Sequence, residues 1–357
     1  MDNKITKSIL NALLLTVALL TMTVNCINAQ DNRSNKNETI KIAEEAGKLI
    51  NSPEPTFKPF QPQKMDDSQV AEMGFEQIYK SESLKFSMRD GKRLFARRFS
   101  FQSDTTVVLL HGVLSSSYLM NKTAGLLRDA VGAEVITIDF RGHGQSEGDG
   151  GDVDYIDQYA DDVSDVISSV KKNKPNGKII VAAHSMGGGI ALRYAMKKDV
   201  QKIDGYILFA PLLGHNAPTL PKPAASAETT AEPFMKIHIE RIIGLKMYHS
   251  IGICKYDYLP VLFFNLPKEM GFNKYSYRAN ASMAPDDYKA GLKAVKKPLL
   301  IVVGSADEAF VAGEFEPAVT KNSKGKVIVI DGATHNGVRH DAKAMDEVKK
   351  WFLKLKL

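Results

Sequence analysis

Cysteine is scarce in this chain, with only Cys26 and Cys254 in 357 residues. If the first 29 residues are removed, Cys254 is the one thiol left. No intramolecular disulfide is then possible, and the fold must be held by its core. Also missing are an HExxH helix, a cysteine pair at metal-ligand spacing and a Walker loop, so no metal or organic cofactor is implied. Lys and Arg exceed Asp and Glu by 47 to 41, a net charge of +6. The basic residues are scattered among acidic ones, with no long run and no stripe interleaved with aromatics, which argues against a nucleic-acid partner.

The apolar stretch from Ser8 to Val24 follows Lys4 and Lys7 and precedes Asn25-Cys26-Ile27-Asn28-Ala29-Gln30. A basic start, an apolar centre and a small residue at the cut make residues 1–29 a signal peptide cleaved after Ala29. The expected destination is export, periplasmic or secreted. An uncleaved anchor is the other reading, but the stretch is barely long enough to cross a bilayer. Cys26 could instead carry a lipid, although Thr23-Val24-Asn25 matches the small-residue box of such processing poorly. No stable membrane span is expected after processing.

With 44% hydrophobic and 25% charged residues, the remainder is composed like a globular protein able to bury one large core. Residues 30–79 read as a polar arm lying on the domain, with one helical candidate at Glu38 to Ile50 and a Pro-punctuated stretch from Ser52 to Gln63. Alternation around Asp90-Gly91 predicts a β-hairpin. Six short apolar runs follow, at Thr106–Leu110, Glu134–Ile138, Lys178–Ala182, Tyr206–Ala210, Leu299–Val303 and Lys326–Ile330, most of them followed by amphipathic helical stretches. Strands apolar on both faces belong to a mostly parallel central sheet with helices on each side, an α/β fold. Right-handed crossovers put the residues just after these strands on one rim. One connection, of about 90 residues between Ala210 and Leu299, far exceeds the ~10–20 that a crossover helix needs. It predicts a cap at 212–290, inserted before the last two strands and splitting the catalytic domain into 80–211 and 291–357.

Ala183-His184-Ser185-Met186-Gly187-Gly188 stands directly after a strand and before a helix. A serine held on a sharp strand-to-helix turn needs small residues two before and two after it, because the two backbones approach closely there. A serine hydroxyl also needs a base, and the base needs an orienting carboxylate. Asp307 follows the run ending at Val303, and His335 follows the run ending at Ile330, both on the rim of Ser185. His340 is the competing base and Glu308 the fallback acid; Asp331 lies too near His335 in sequence to orient it easily. Two backbone N–H groups must meet the oxyanion formed on attack. Met186 supplies one, and Val113, in the loop His111-Gly112-Val113-Leu114, is the candidate for the other.

In order, His111-Gly112, Asp139-Phe140-Arg141-Gly142-His143-Gly144-Gln145-Ser146, Ala183 to Gly188, Gly304 to Asp307 and His335 resemble the α/β hydrolases of the monoglyceride lipase, lysophospholipase and serine-aminopeptidase-like branch. The likeness covers about Leu84 to Leu357, with Ala183 where that branch has Gly. It implies a Ser185-His335-Asp307 triad and a structural role for Asp139 to Ser146. The expected activity is hydrolysis of a small, lipophilic ester through an acyl-enzyme. Phe234, Met235, Ile237, Ile239, Ile242 and Ile243 could wall an acyl chain or merely pack the cap down. A peptidase would need an acid to grip its substrate's amine, for which Glu228, Glu232, Glu240 and Asp257 are available. A third reading is a binding protein with a vestigial triad.

Overall fold

The computed structural model describes residues 34–59, 66–221, 232–267 and 271–355. The expected leader lies outside the described residues, as do stretches of the Pro-punctuated arm and of the Ala-, Pro- and Thr-rich start of the cap.

The hairpin pairs β1 (Glu82–Ser87) with β2 (Arg93–Phe99) in antiparallel register. The six apolar runs become β3 (Thr105–Leu110), β4 (Glu134–Ile138), β5 (Lys178–His184), β6 (Gly205–Phe209), β10 (Leu299–Gly304) and β11 (Lys326–Ile330). They extend the hairpin into one eight-stranded sheet of order β1-β2-β4-β3-β5-β6-β10-β11. Pairing is parallel from β4 onward. Central strands such as β3, β6 and β10 are buried at every position, as two helix-covered faces require. At the sheet edge β11 departs from the expectation of two buried faces. Its Val329 is 48% exposed, because β11 is the edge strand and only β10 pairs with it.

The helices α3 (Asn121–Val131), α4 (Gln158–Asn173), α5 (Met186–Met196), α9 (Phe315–Asn322) and α10 (Ala342–Lys354) connect or cover the strands, where α1 and α2 are the arm helices described below and α6 to α8 lie between β6 and β10. On α4 the stripe Val163, Val166, Ile167 and Val170 is buried, the 3–4 spacing of an amphipathic helix. Asp341 caps α10 by accepting a hydrogen bond from the Ala344 N–H at 2.9 Å.

Between β6 and β10 the described residues form a three-stranded antiparallel sheet, β7 (Met235–Ile237), β8 (Pro260–Phe264) and β9 (Lys274–Ser276), with α6 (Ile239–Ser250), α7 (Tyr277–Ser282) and α8 (Tyr288–Ala294). The arm holds two helices, α1 (Ser34–Ile50) and α2 (Asp67–Met73). The second is closed by a capping box between Asp66 and Gln69. The arm does more than lie on the surface. Ala46 and Ile50 belong to the core, where α1 packs along α6. Arg241 of α6, itself buried, donates to the Ile50 carbonyl and to Glu54, fastening arm to cap.

Candidate active site

Ser185 sits between the end of β5 and the start of α5 with φ 53 and ψ −118, a backbone region that side chains other than glycine rarely occupy. Its N–H donates to the Phe209 carbonyl of β6, and its carbonyl accepts from Leu212, which anchors the turn on both sides. The demand for small neighbours is visible at Gly187. A Cβ there would lie 2.7 Å from both the Leu110 and His111 carbonyl oxygens.

Asp307 and His335 are joined as expected from their places on the rim. His335 Nδ1 lies 3.1 and 3.0 Å from the two oxygens of Asp307, so Nδ1–H donates and Nε2 is left to act as a base. The carboxylate is fully buried and also accepts from the Ala309 and Phe310 N–H groups at 2.8 Å each. The Phe310 ring meets the imidazole edge-on at 5.2 Å. Glu308 takes a different role from that of a substitute acid: it accepts the His335 backbone N–H at 3.0 Å. His340 is turned away, its Nε2 3.1 Å from Thr123 Oγ1.

Ser185 reaches this pair through its chain neighbour. The His184 ring lies 4.8 Å from the His335 ring, and its Nε2–H donates to the His335 carbonyl at 3.0 Å. Burial, with His335 and Arg339 nearby, holds His184 well below the usual histidine range, so it stays a neutral donor. Among the described residues Ser185 Oγ makes no hydrogen bond to His335, so the serine-to-imidazole link is open. Such links are often long or poorly aligned until substrate is bound.

The loop after β3 lies against the serine. A Cβ on Gly112 would come within 3.2 Å of Ser185 Cβ and of His184 Nδ1. Among the described residues neither the Val113 nor the Met186 N–H donates to another protein group, and Met186 is the first residue of α5, where an N–H has no carbonyl of its own helix to meet. The next residue, Leu114, has a positive φ of 54 and donates its N–H to Tyr275 Oη of β9 at 2.8 Å. That hydroxyl donates in turn to His143 Nε2 at 2.8 Å, and His143 Nδ1–H donates to the Arg141 carbonyl. Burial pushes His143 down to about 3 and His111 to about 4, so both are neutral.

The segment Asp139 to Ser146 is scaffolding. Asp139 accepts from the Ser117 and Gln145 N–H groups, and Arg141 forms a buried two-point pair with Asp162 at 2.8 and 2.7 Å while also binding Asp90. Two contacts escaped sequence reasoning, Glu72 of α2 accepting from Thr334 Oγ1 beside His335, and Tyr275 on the Leu114 loop. Neither carries a local motif, since the partners lie 262 and 161 residues apart.

Phe234, Met235, Ile237 and Ile239 are exposed, while Ile242 and Ile243 are half-buried. The buried face of α6 is instead Arg241, Gly244, Leu245 and Tyr248. Among the acids expected to be free for an amine, Glu232 pairs with Lys236 and Asp257 with His249, Glu240 is 62% exposed with one oxygen 3.5 Å from His238 Nδ1, and Glu228 lies outside the described residues.

An elbow serine beside a buried carboxylate-histidine pair on the rim of this mostly parallel sheet defines the α/β-hydrolase class. Comparison with known proteins narrows it. The family described as "Serine aminopeptidase, S33" matches residues 102–252. A monoglyceride lipase homolog of Monkeypox virus is 26% identical over 232 residues, 63% of this chain and 78% of the viral protein. Monoglyceride lipase of Mus musculus is 29% identical over 126 residues, covering 35% of this chain and 41% of the mouse protein. Among solved structures, a Pyrococcus furiosus esterase superposes with a TM-score of 0.53 at 17% identity, over 86% of this chain and all of that one. A Paleococcus ferrophilus monoacylglycerol lipase does so at 0.50 and 20%, over 73% and 99%. The chain is thus similar to the serine aminopeptidase-like and monoglyceride lipase-like branch of the α/β hydrolases, whose members here are lipases and esterases. Among the described residues no helix is long and apolar enough to cross a membrane.

Proposed function

We propose that the protein is an exported serine esterase that cleaves small lipophilic carboxylic esters through an acyl-enzyme. The observation that carries the reading is the His335 imidazole, bonded through Nδ1 to buried Asp307 and backed by the residue that precedes Ser185. In the first step Ser185 Oγ attacks the ester carbonyl while His335 Nε2 takes its proton, forming the tetrahedral oxyanion between the Val113 and Met186 N–H groups. Collapse breaks the ester C–O bond, and His335 passes the proton to the leaving alcohol. Water then attacks the acyl-serine with His335 again as base, releasing acid and restoring the hydroxyl. Asp307 holds the tautomer and stabilises the imidazolium.

An ester fits better than an N-terminal amine, because Glu232 and Asp257 are already engaged by Lys236 and His249. The monoglyceride lipase relatives point the same way. Purified protein is expected to react with a fluorophosphonate and to hydrolyse p-nitrophenyl esters, while Ser185→Ala does neither. Equal labelling of Ser185→Ala would remove the nucleophile from this scheme, and faster turnover of aminoacyl amides than of esters would make the enzyme a peptidase. Intact mass of the exported protein tests processing, since a chain beginning at Gln30 and one acylated at Cys26 differ in mass.

A further inference from the structure

Away from the triad, the cap brings three metal-donor side chains of different chemistry to one point. His249 closes α6, Gly252 reverses the chain with φ 78, and Cys254 and Asp257 follow in a turn closed by Asp257 N–H to the Cys254 carbonyl at 3.1 Å. One ligand atom from each of His249, Cys254 and Asp257 lies within 4.8 Å of the others. We propose that these three residues form a zinc site that ties the end of α6 to the segment entering β8.

The donor set selects the ion. An imidazole, a thiol and a carboxylate together suit borderline-soft Zn²⁺, whereas Ca²⁺ and Mg²⁺ take oxygen alone and more of it. Three protein ligands with one side open to solvent leave the fourth tetrahedral position for water. Cys254 is exposed, and the His249 and Asp257 side chains are 26% and 10% exposed, so the ion has an entry path.

The site forms by modest side-chain movement, the ligand atoms now lying within 4.8 Å of one another. Bonds of the usual zinc lengths set tetrahedral ligand atoms roughly 3.3–3.7 Å apart. His249 Nε2 now sits 2.7 and 2.8 Å from the two Asp257 oxygens, so this pair opens by under an ångström and exchanges its hydrogen bond for two metal bonds. The His249 ring is steadied edge-on against Tyr277 at 5.3 Å, and the Asp257 carbonyl is held by the Arg278 N–H. Burial and the Asp257 charge push the Cys254 thiol up. A bound dication reverses the second influence, so the thiolate forms on binding and its proton is released to solvent. Without an ion, the same residues are a hydrogen-bonded pair beside an idle thiol, and the experiment must separate these two states.

Untagged protein is titrated with Co²⁺ as a spectroscopic stand-in, then with Zn²⁺ in competition with a chromogenic chelator. Wild type should bind one ion per chain, with thiolate-to-cobalt charge-transfer absorption and the intense visible bands of a tetrahedral site. Cys254→Ser should lose the charge-transfer band. Asp257→Asn and His249→Gln should each weaken Zn²⁺ binding by more than the about 10–100-fold that loss of an outer-shell partner costs. Ser185→Ala should bind as wild type does, which keeps this result independent of the esterase reading. Absence of the band in folded wild type, or its persistence in Cys254→Ser, overturns the site.

Discussion

The serine turn concentrates the chemistry into a few atoms, and single substitutions there read out separate functions. Asp307→Asn keeps the shape but cannot hold the His335 tautomer or offset its charge. Its kcat should fall by about 10⁴. Ester KM should change little, and circular dichroism should match wild type. Gly112→Ala tests the oxyanion loop. The added methyl would meet Ser185 Cβ and His184 Nδ1 at 3.2 Å, closer than ordinary van der Waals contact. Either the loop or the serine must give by a few tenths of an ångström, and misplacement on the ångström scale costs roughly 10²-fold in rate. Stopped-flow phosphonylation and ester turnover should therefore both slow by tenfold or more, roughly half that penalty on a logarithmic scale. An unchanged phosphonylation rate would show that Val113 does not serve the oxyanion.

Secondary-structure elements carry the next level of control, because the cap strand β9 holds the oxyanion loop by one hydroxyl. Tyr275→Phe removes that hydroxyl and strands the Leu114 N–H and the buried His143 Nε2, costing about 1–3 kcal/mol in stability. Since Leu114 follows Val113, kcat should drop while KM for a short ester stays near its wild-type value. Steady-state kinetics with a melting curve checks both, and a fall in Tm with kcat intact would reduce Tyr275 to packing. On the arm, Ile50→Ala should destabilise by about 2–5 kcal/mol because the side chain is 5% exposed where α1 meets α6. Sequence reasoning reached some of these elements and missed others for a physical reason. Strands such as Val107-Val108-Leu109-Leu110 announce themselves, since burial on two faces makes the run continuously apolar. The places of Ser185, Asp307 and His335 just after strands were legible because strand ends are legible. The embedded arm was not, since only Ala46 and Ile50, one helical turn apart, mark its buried side, and their partner α6 is some two hundred positions away. The roles of Glu308 and Tyr275 likewise depend on contacts between segments, which no local pattern encodes.

Across the whole molecule, buried imidazoles set how the protein answers acid. His111, His143 and His184 are entirely enclosed, and burial keeps them neutral in the folded chain, with His111 down to about 4, His143 to about 3 and His184 well below its ordinary value. In the unfolded chain each takes up its proton near pH 6.5. Between that pH and the folded values the unfolded state binds more protons, so the stability present above pH 6.5 is lost as pH falls. Each group contributes a slope of about 1.4 kcal/mol per pH unit. One group opposes them. Burial pushes the Asp162 carboxyl up to about 6 against the pull of Arg141, so the folded state takes up that proton first and offsets one histidine between about pH 6 and 4. Burial also lowers His215 and His340, so more than two imidazoles remain uncompensated, a slope of at least about 2.7 kcal/mol per unit. For a stability near the lower end of the roughly 5–15 kcal/mol of a typical domain, that slope brings unfolding near pH 4–5. Urea midpoints at pH 7.5, 6 and 5 should fall steeply over the last interval with an unchanged m-value, and a flat midpoint from pH 7.5 to 5 would mean that these histidines are not held neutral by burial.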